Sequence, residues 1–121
     1  MIRKAVWLLA SLGLLLGVLH LTLTLPIYRR LSLEALWFAG SGLAVVCCGL
    51  INVVALRSSA PSTRWAVVTA NLLIAGFFAA AWPLLPSPQV AVGFVVFIIL
   101  AAYFGLITVL QEKAAEHAAA S

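Results

Sequence analysis

Four long apolar runs fill nearly all of the chain, and the short polar gaps between them hold most of its charge. The runs extend from Ala5 to about Ile27, from about Leu33 to Leu56, from Trp65 to Leu85 and from about Gln89 to Leu110. Each is long enough to cross a bilayer as a helix, which takes about 20 apolar residues. The pattern predicts an all-α fold, an integral membrane four-helix bundle with antiparallel, up-down-up-down helices. One domain occupies residues 1–121, and residues 111–121 form an alanine-rich polar tail on the cytoplasmic side.

The gaps carry the punctuation expected of helix ends. Pro26 marks the end of span one, and Tyr28, Arg29 and Arg30 form a wet interface. Ser32 is placed to cap span two, with Glu34 in the positive field of its first turn. Arg57 to Arg64 is the most polar stretch and is expected to be a loop. Pro83 and Pro86 break span three, while Pro88 suits the first turn of span four, where no donor is needed.

Composition narrows the class. Hydrophobic residues make up 65% of the 121 and charged residues 8%, against roughly 25% charged in a soluble domain. Lipid has to cover that much apolar surface. The net charge of +4 reads as a topology signal. Its basic residues sit at helix ends with no aromatic-interleaved stripe, so no nucleic-acid partner is expected. With the N-terminus inside, Arg3, Lys4, Arg57, Arg64 and Lys113 are cytoplasmic and only Arg29 and Arg30 are outside. That bias predicts that both termini are cytoplasmic. The first apolar run exceeds a signal-peptide core and lacks a small-residue cleavage site, so an uncleaved first span is expected.

Polar residues inside the spans are the candidates for chemistry. Ala10, Gly13, Gly17, His20 and Thr24 share one face of span one. Ala35, Ala39, Gly42 and Gly49 form a matching seam on span two, with Ser41, Cys48 and Asn52 about a quarter turn away. Gly13, Gly17, Gly42 and Gly49 are expected to pack helices, within the chain or in a homodimer. His20 lies about 9 Å along the helix from the outer end. An ionisable side chain there is either a functional group or a neutral imidazole bonded to Thr24, Ser41 or a carbonyl. With Ser41 and Trp37 it would form an outer vestibule. Asn52 and Asn71 fall at one depth nearer the cytoplasm, with Tyr103 and Ser11 at a similar level. They form either a polar clamp between helices or a substrate site. Cys47 and Cys48 read as small, buried, reduced side chains.

Several chemistries are missing their residues. There is no Asp, and Glu34, Glu112 and Glu116 all lie near span ends or in the tail. The chain is similar in size to four-helix small multidrug exporters but lacks their first-span glutamate. It also lacks the phenylalanine and asparagine motifs of small fluoride channels. Cys47-Cys48 resembles the pair of mercury-transport membrane proteins without its Gly and Pro context. No catalytic residues, metal ligands or cofactor site are expected.

The stretch from His20 through Pro26, and from Leu31-Ser32-Leu33-Glu34-Ala35-Leu36-Trp37-Phe38 to Asn52, resembles small four-span inner-membrane proteins of bacteria. That resemblance implies the architecture and a bacterial source, and brings no established activity. The expected role is non-enzymatic: an accessory or interaction protein partnered by lipid, a second copy or another membrane protein. The alternative is a small transporter or channel subunit with polar layers around His20 and Asn52/Asn71.

Overall fold

The structure, a computed structural model, describes residues 2–120. Met1 and Ser121, the first residue of the expected domain and the last of its tail, lie outside the described residues. Among the described residues there are four α-helices and no strand: α1 Ile2–Tyr28, α2 Leu33–Ala55, α3 Pro61–Ala81 and α4 Pro88–Ala120. All four are long and apolar enough to cross a membrane.

The helix ends show where local chemistry overrides hydropathy. Pro26 does not end α1; the helix runs on to Tyr28 with the proline inside it. The terminator is Arg29, whose φ of 55° is left-handed and whose N–H still donates to the Leu25 carbonyl at 2.8 Å. This is the left-handed cap that glycine ordinarily supplies. Ser32 caps α2 from an extended conformation, its hydroxyl accepting from the Ala35 N–H at 3.2 Å.

The expected loop from Arg57 to Arg64 is shorter than its polarity suggests, because α3 begins at Pro61, a residue pre-set for a helix start. Polar residues on a first turn are exposed to water, so hydropathy does not count them. At its other end α3 stops at Ala81, ahead of Leu85, with Pro83 denying the next turn a donor. Helix α4 keeps its form through the tail to Ala120. Its 33 residues span about 50 Å, well beyond a hydrocarbon core of about 30 Å.

Helix α1 packs on α2, α2 on α3, α3 on α4 and α4 back on α1, an arrangement compatible with a bundle. Along the α1–α2 contact, Trp7 meets Arg57, Leu14 meets Gly49, Gly17 meets Val46 and His20 meets Phe38. Between α3 and α4, Arg64 bonds Gln111 and Trp65 bonds Glu112, while Phe78 stacks on Phe97 at 6.1 Å.

The α1–α2 approach depends on missing side chains. A Cβ at Gly17 would lie 2.7 Å from the Val46 backbone nitrogen and 2.9 Å from the Gly42 carbonyl oxygen. One at Gly42 would lie 2.7 Å from the His20 Cβ. Gly49 sits against Leu14, whereas Gly13 turns away from α2 to face the Phe97 ring of α4. The glycine faces of α1 and α2 are therefore covered within the chain. The principal core cluster joins Val6 and Ala10 to Val45, Cys48, Ala75, Phe78, Val96, Phe97 and Leu100.

Candidate functional site

Polar side chains gather in two layers inside the helices. In one layer, Asn52 of α2 and Asn71 of α3 are both fully buried. The Asn52 Nδ2 donates to the Asn71 Oδ1 at 2.7 Å, and the Asn71 Nδ2 donates back to the Asn52 Oδ1 at 2.9 Å. Asn52 also donates to the Cys48 carbonyl at 2.8 Å, one helical turn earlier. The Cys48 thiol completes the set, donating to the Asn71 Oδ1 at 3.3 Å. Among the described residues, no buried side-chain nitrogen or oxygen lacks a hydrogen-bond partner. In an apolar surrounding, leaving such an amide unpaired costs several kcal/mol by transfer estimates, roughly 2–7.

Tyr103 is not part of this set. It is half-buried, edge-on to Phe104 at 5.3 Å, and borders a cleft shared with Arg3, Arg57 and Arg64. Ser11 is exposed, and so is Cys47, whereas Cys48 is buried. The thiol's membership in the amide layer was open to detection from the sequence, because Cys48 and Asn52 have i, i+4 spacing on one helix face. Thr108 is another buried polar residue without a sequence signal; its hydroxyl donates to its own helix at the Phe104 carbonyl, 2.8 Å away.

The other layer centres on His20, which is half-buried. Its ring stacks on Phe38 of α2 with centroids 4.5 Å apart and planes 21° from parallel. The Nδ1 lies 3.3 Å from the Leu16 carbonyl, a contact available to the tautomer protonated at Nδ1. Thr24 is buried, and its hydroxyl reaches the His20 carbonyl at 2.9 Å, not the ring. Ser41 donates to the Phe38 carbonyl on its own helix at 2.7 Å. The ring therefore has a carbonyl and an aromatic face as its neighbours, and neither hydroxyl.

His20 borders a cavity of about 200 Å³ whose other polar edges are Ser87 and Gln89, with Phe38, Phe78 and Leu85 among its apolar walls. Trp37 and Ser41 do not line it; Trp37 is 72% exposed. No periodicity connects Ser87 and Gln89 with His20; the α3–α4 turn and the first residues of α4 bring them to its cavity. Among the described residues, no three His, Cys, Asp or Glu side chains gather as metal ligands. Compared with known proteins, the chain matches no family model, no curated protein and no solved structure.

Proposed function

We propose that the chain is a small integral membrane protein without catalytic activity, acting as an accessory or interaction partner of another membrane protein or of a second copy. Its helices form an antiparallel, up-down-up-down bundle in a bacterial inner membrane, with both termini in the cytoplasm. The order of contacts supports the antiparallel arrangement, because partners descend over the length of each pair, from Trp7–Arg57 to His20–Phe38 and from Arg64–Gln111 to Phe78–Phe97. Outward-facing Leu8, Leu15, Leu36, Leu73 and Leu106 support embedding, since each is at least 60% exposed. So much exposed apolar surface is at home in lipid. Arg3, Arg57 and Arg64 share one cleft, which supports a basic cytoplasmic end.

The observation that carries the non-transporting role is the closed Asn52–Asn71–Cys48 set. A permeation site turns its polar atoms towards water or substrate; these are bonded to each other and fully buried. Liposome flux across potassium, proton and chloride gradients tests the reading. Flux no greater than in protein-free vesicles is expected, and a flux abolished by His20→Ala would overturn it. Reporter fusions at the two ends test the topology.

The His20 cavity favours a second reading, a transporter or channel subunit. In that case His20→Ala leaves accumulation in the membrane unchanged while removing flux. A packing role for the stacked ring instead predicts lower accumulation.

A further inference from the structure

A cleft of about 310 Å³ opens at the end of the helices opposite His20, and all four helices or their adjoining turns contribute to it. Three guanidinium-bearing residues line it: Arg3 of α1, Arg57 after α2 and Arg64 of α3. Tyr103 and Gln111 of α4 add polar groups, and no carboxylate is among the lining side chains. Among the described residues none of the three arginines forms an ion pair. Three uncompensated cations around one concavity repel each other and focus a positive potential into it.

Two of the three are held in place by neighbours that do not neutralise them. The Arg57 guanidinium lies 5.6 Å from the centroid of the Trp7 ring, within cation–π range. Arg64 donates through Nη2 to the Ser58 carbonyl at 3.1 Å and through Nη1 to the Gln111 Oε1. Those bonds take two of the five N–H groups on that guanidinium. The rest remain for a ligand with several acceptor oxygens. Planar, fixed guanidinium forks match phosphate oxygens in pairs, which makes arginine the preferred residue for bidentate phosphate recognition.

We propose that this cleft binds a phosphate group, presented by the headgroup of an anionic phospholipid or as free phosphate. Basic pockets between membrane helices on the cytoplasmic side are suited to such headgroups. The lipid source rests on the membrane reading above; the free-phosphate source does not.

The test uses the full chain in neutral detergent, titrated separately with short-chain phosphatidylglycerol, short-chain phosphatidylcholine and inorganic phosphate by calorimetry. Saturable binding of phosphatidylglycerol but not phosphatidylcholine, weakened about tenfold or more in Arg57→Gln/Arg64→Gln, supports the lipid source. Saturable inorganic phosphate binding with the same dependence supports the free anion. Arg29→Gln/Arg30→Gln at the other end is expected to bind as the parent does. Arg57→Lys, which keeps the charge and loses the fork, is expected to bind with intermediate affinity if the double variant misfolds by circular dichroism. No saturable binding of either phosphate compound, or equal losses in the Arg29/Arg30 variant, overturns the site. Carbonate extraction of native membranes checks embedding separately, so failure of the site and failure of the membrane reading give different results.

Discussion

Asn52 and Asn71 hold α2 to α3 by exchanging amide hydrogen bonds in both directions, at 2.7 and 2.9 Å, with neither side chain exposed. Each satisfies the polar atoms that the other would otherwise leave in an apolar interior. The pair is therefore expected to show energetic coupling. In a double-mutant cycle of Asn52→Ala and Asn71→Ala, monitored by reversible unfolding in mixed micelles, the coupling should be about 0.6–1.7 kcal/mol. Additive single effects would mean that the bonds contribute no net stability.

Gly17 in the α1–α2 seam and Gly76 of α3 predict opposite outcomes for the same chemical change. Gly17→Ala would drive a methyl group into the Val46 backbone, which has no flexible end to move aside. A loss of about 1–3 kcal/mol is expected. Gly76→Ala meets nothing within 4 Å and should be neutral or stabilising by up to about 1 kcal/mol, as helix propensity favours alanine. Thermal unfolding of the two variants beside the parent separates them.

Much of this arrangement was legible in the residues, and the limit has a physical cause. Long apolar runs reveal helices, and Ser32 and Pro88 mark where two of them start. The outward faces, however, are as rich in large hydrophobics as the inward ones, so hydropathy does not fix how each helix is rotated. Gly13 shared a face with Gly17, yet it looks to Phe97 of α4 rather than to α2. Ser41 was expected beside His20, but its hydroxyl folds back on its own helix. The depth of Asn52 and Asn71 is readable from loop symmetry, and i, i+4 spacing puts Cys48 on the Asn52 face; that this face meets Asn71 of α3 depends on rotation. Ser87 and Gln89 come to line the His20 cavity through a turn whose path no periodicity describes.

A third expectation concerns α3 and α4. A Cβ at Gly93 would come within 2.5 Å of the Phe78 ring, which also stacks on Phe97. Gly93→Ala alone should lower the unfolding midpoint. Adding Phe78→Leu should restore part of the loss, because a smaller branched side chain vacates the space the methyl group needs. If the double variant falls by the sum of the two single losses, the ring is not the obstacle.

Arg29 supplies a fourth. At a φ of 55° its side chain sits in a conformation that disfavours a Cβ, by roughly 1–2 kcal/mol. Arg29→Gly is expected to raise thermal stability relative to Arg29→Ala, since both remove the charge and only glycine removes the strain. Equal melting temperatures for the two would place the left-handed residue elsewhere.

Arg3 of α1 and Gln111 of α4 border the same cleft. The first and last helices are direct neighbours as well. Helix α4 runs nine residues past Gln111 to Ala120, about 14 Å at the helical rise, so a peptide joining the first helix to the last has to turn back along that extension. New ends could then be cut at Ser58–Ser59, giving a circular permutant that starts with α3 and finishes with α2.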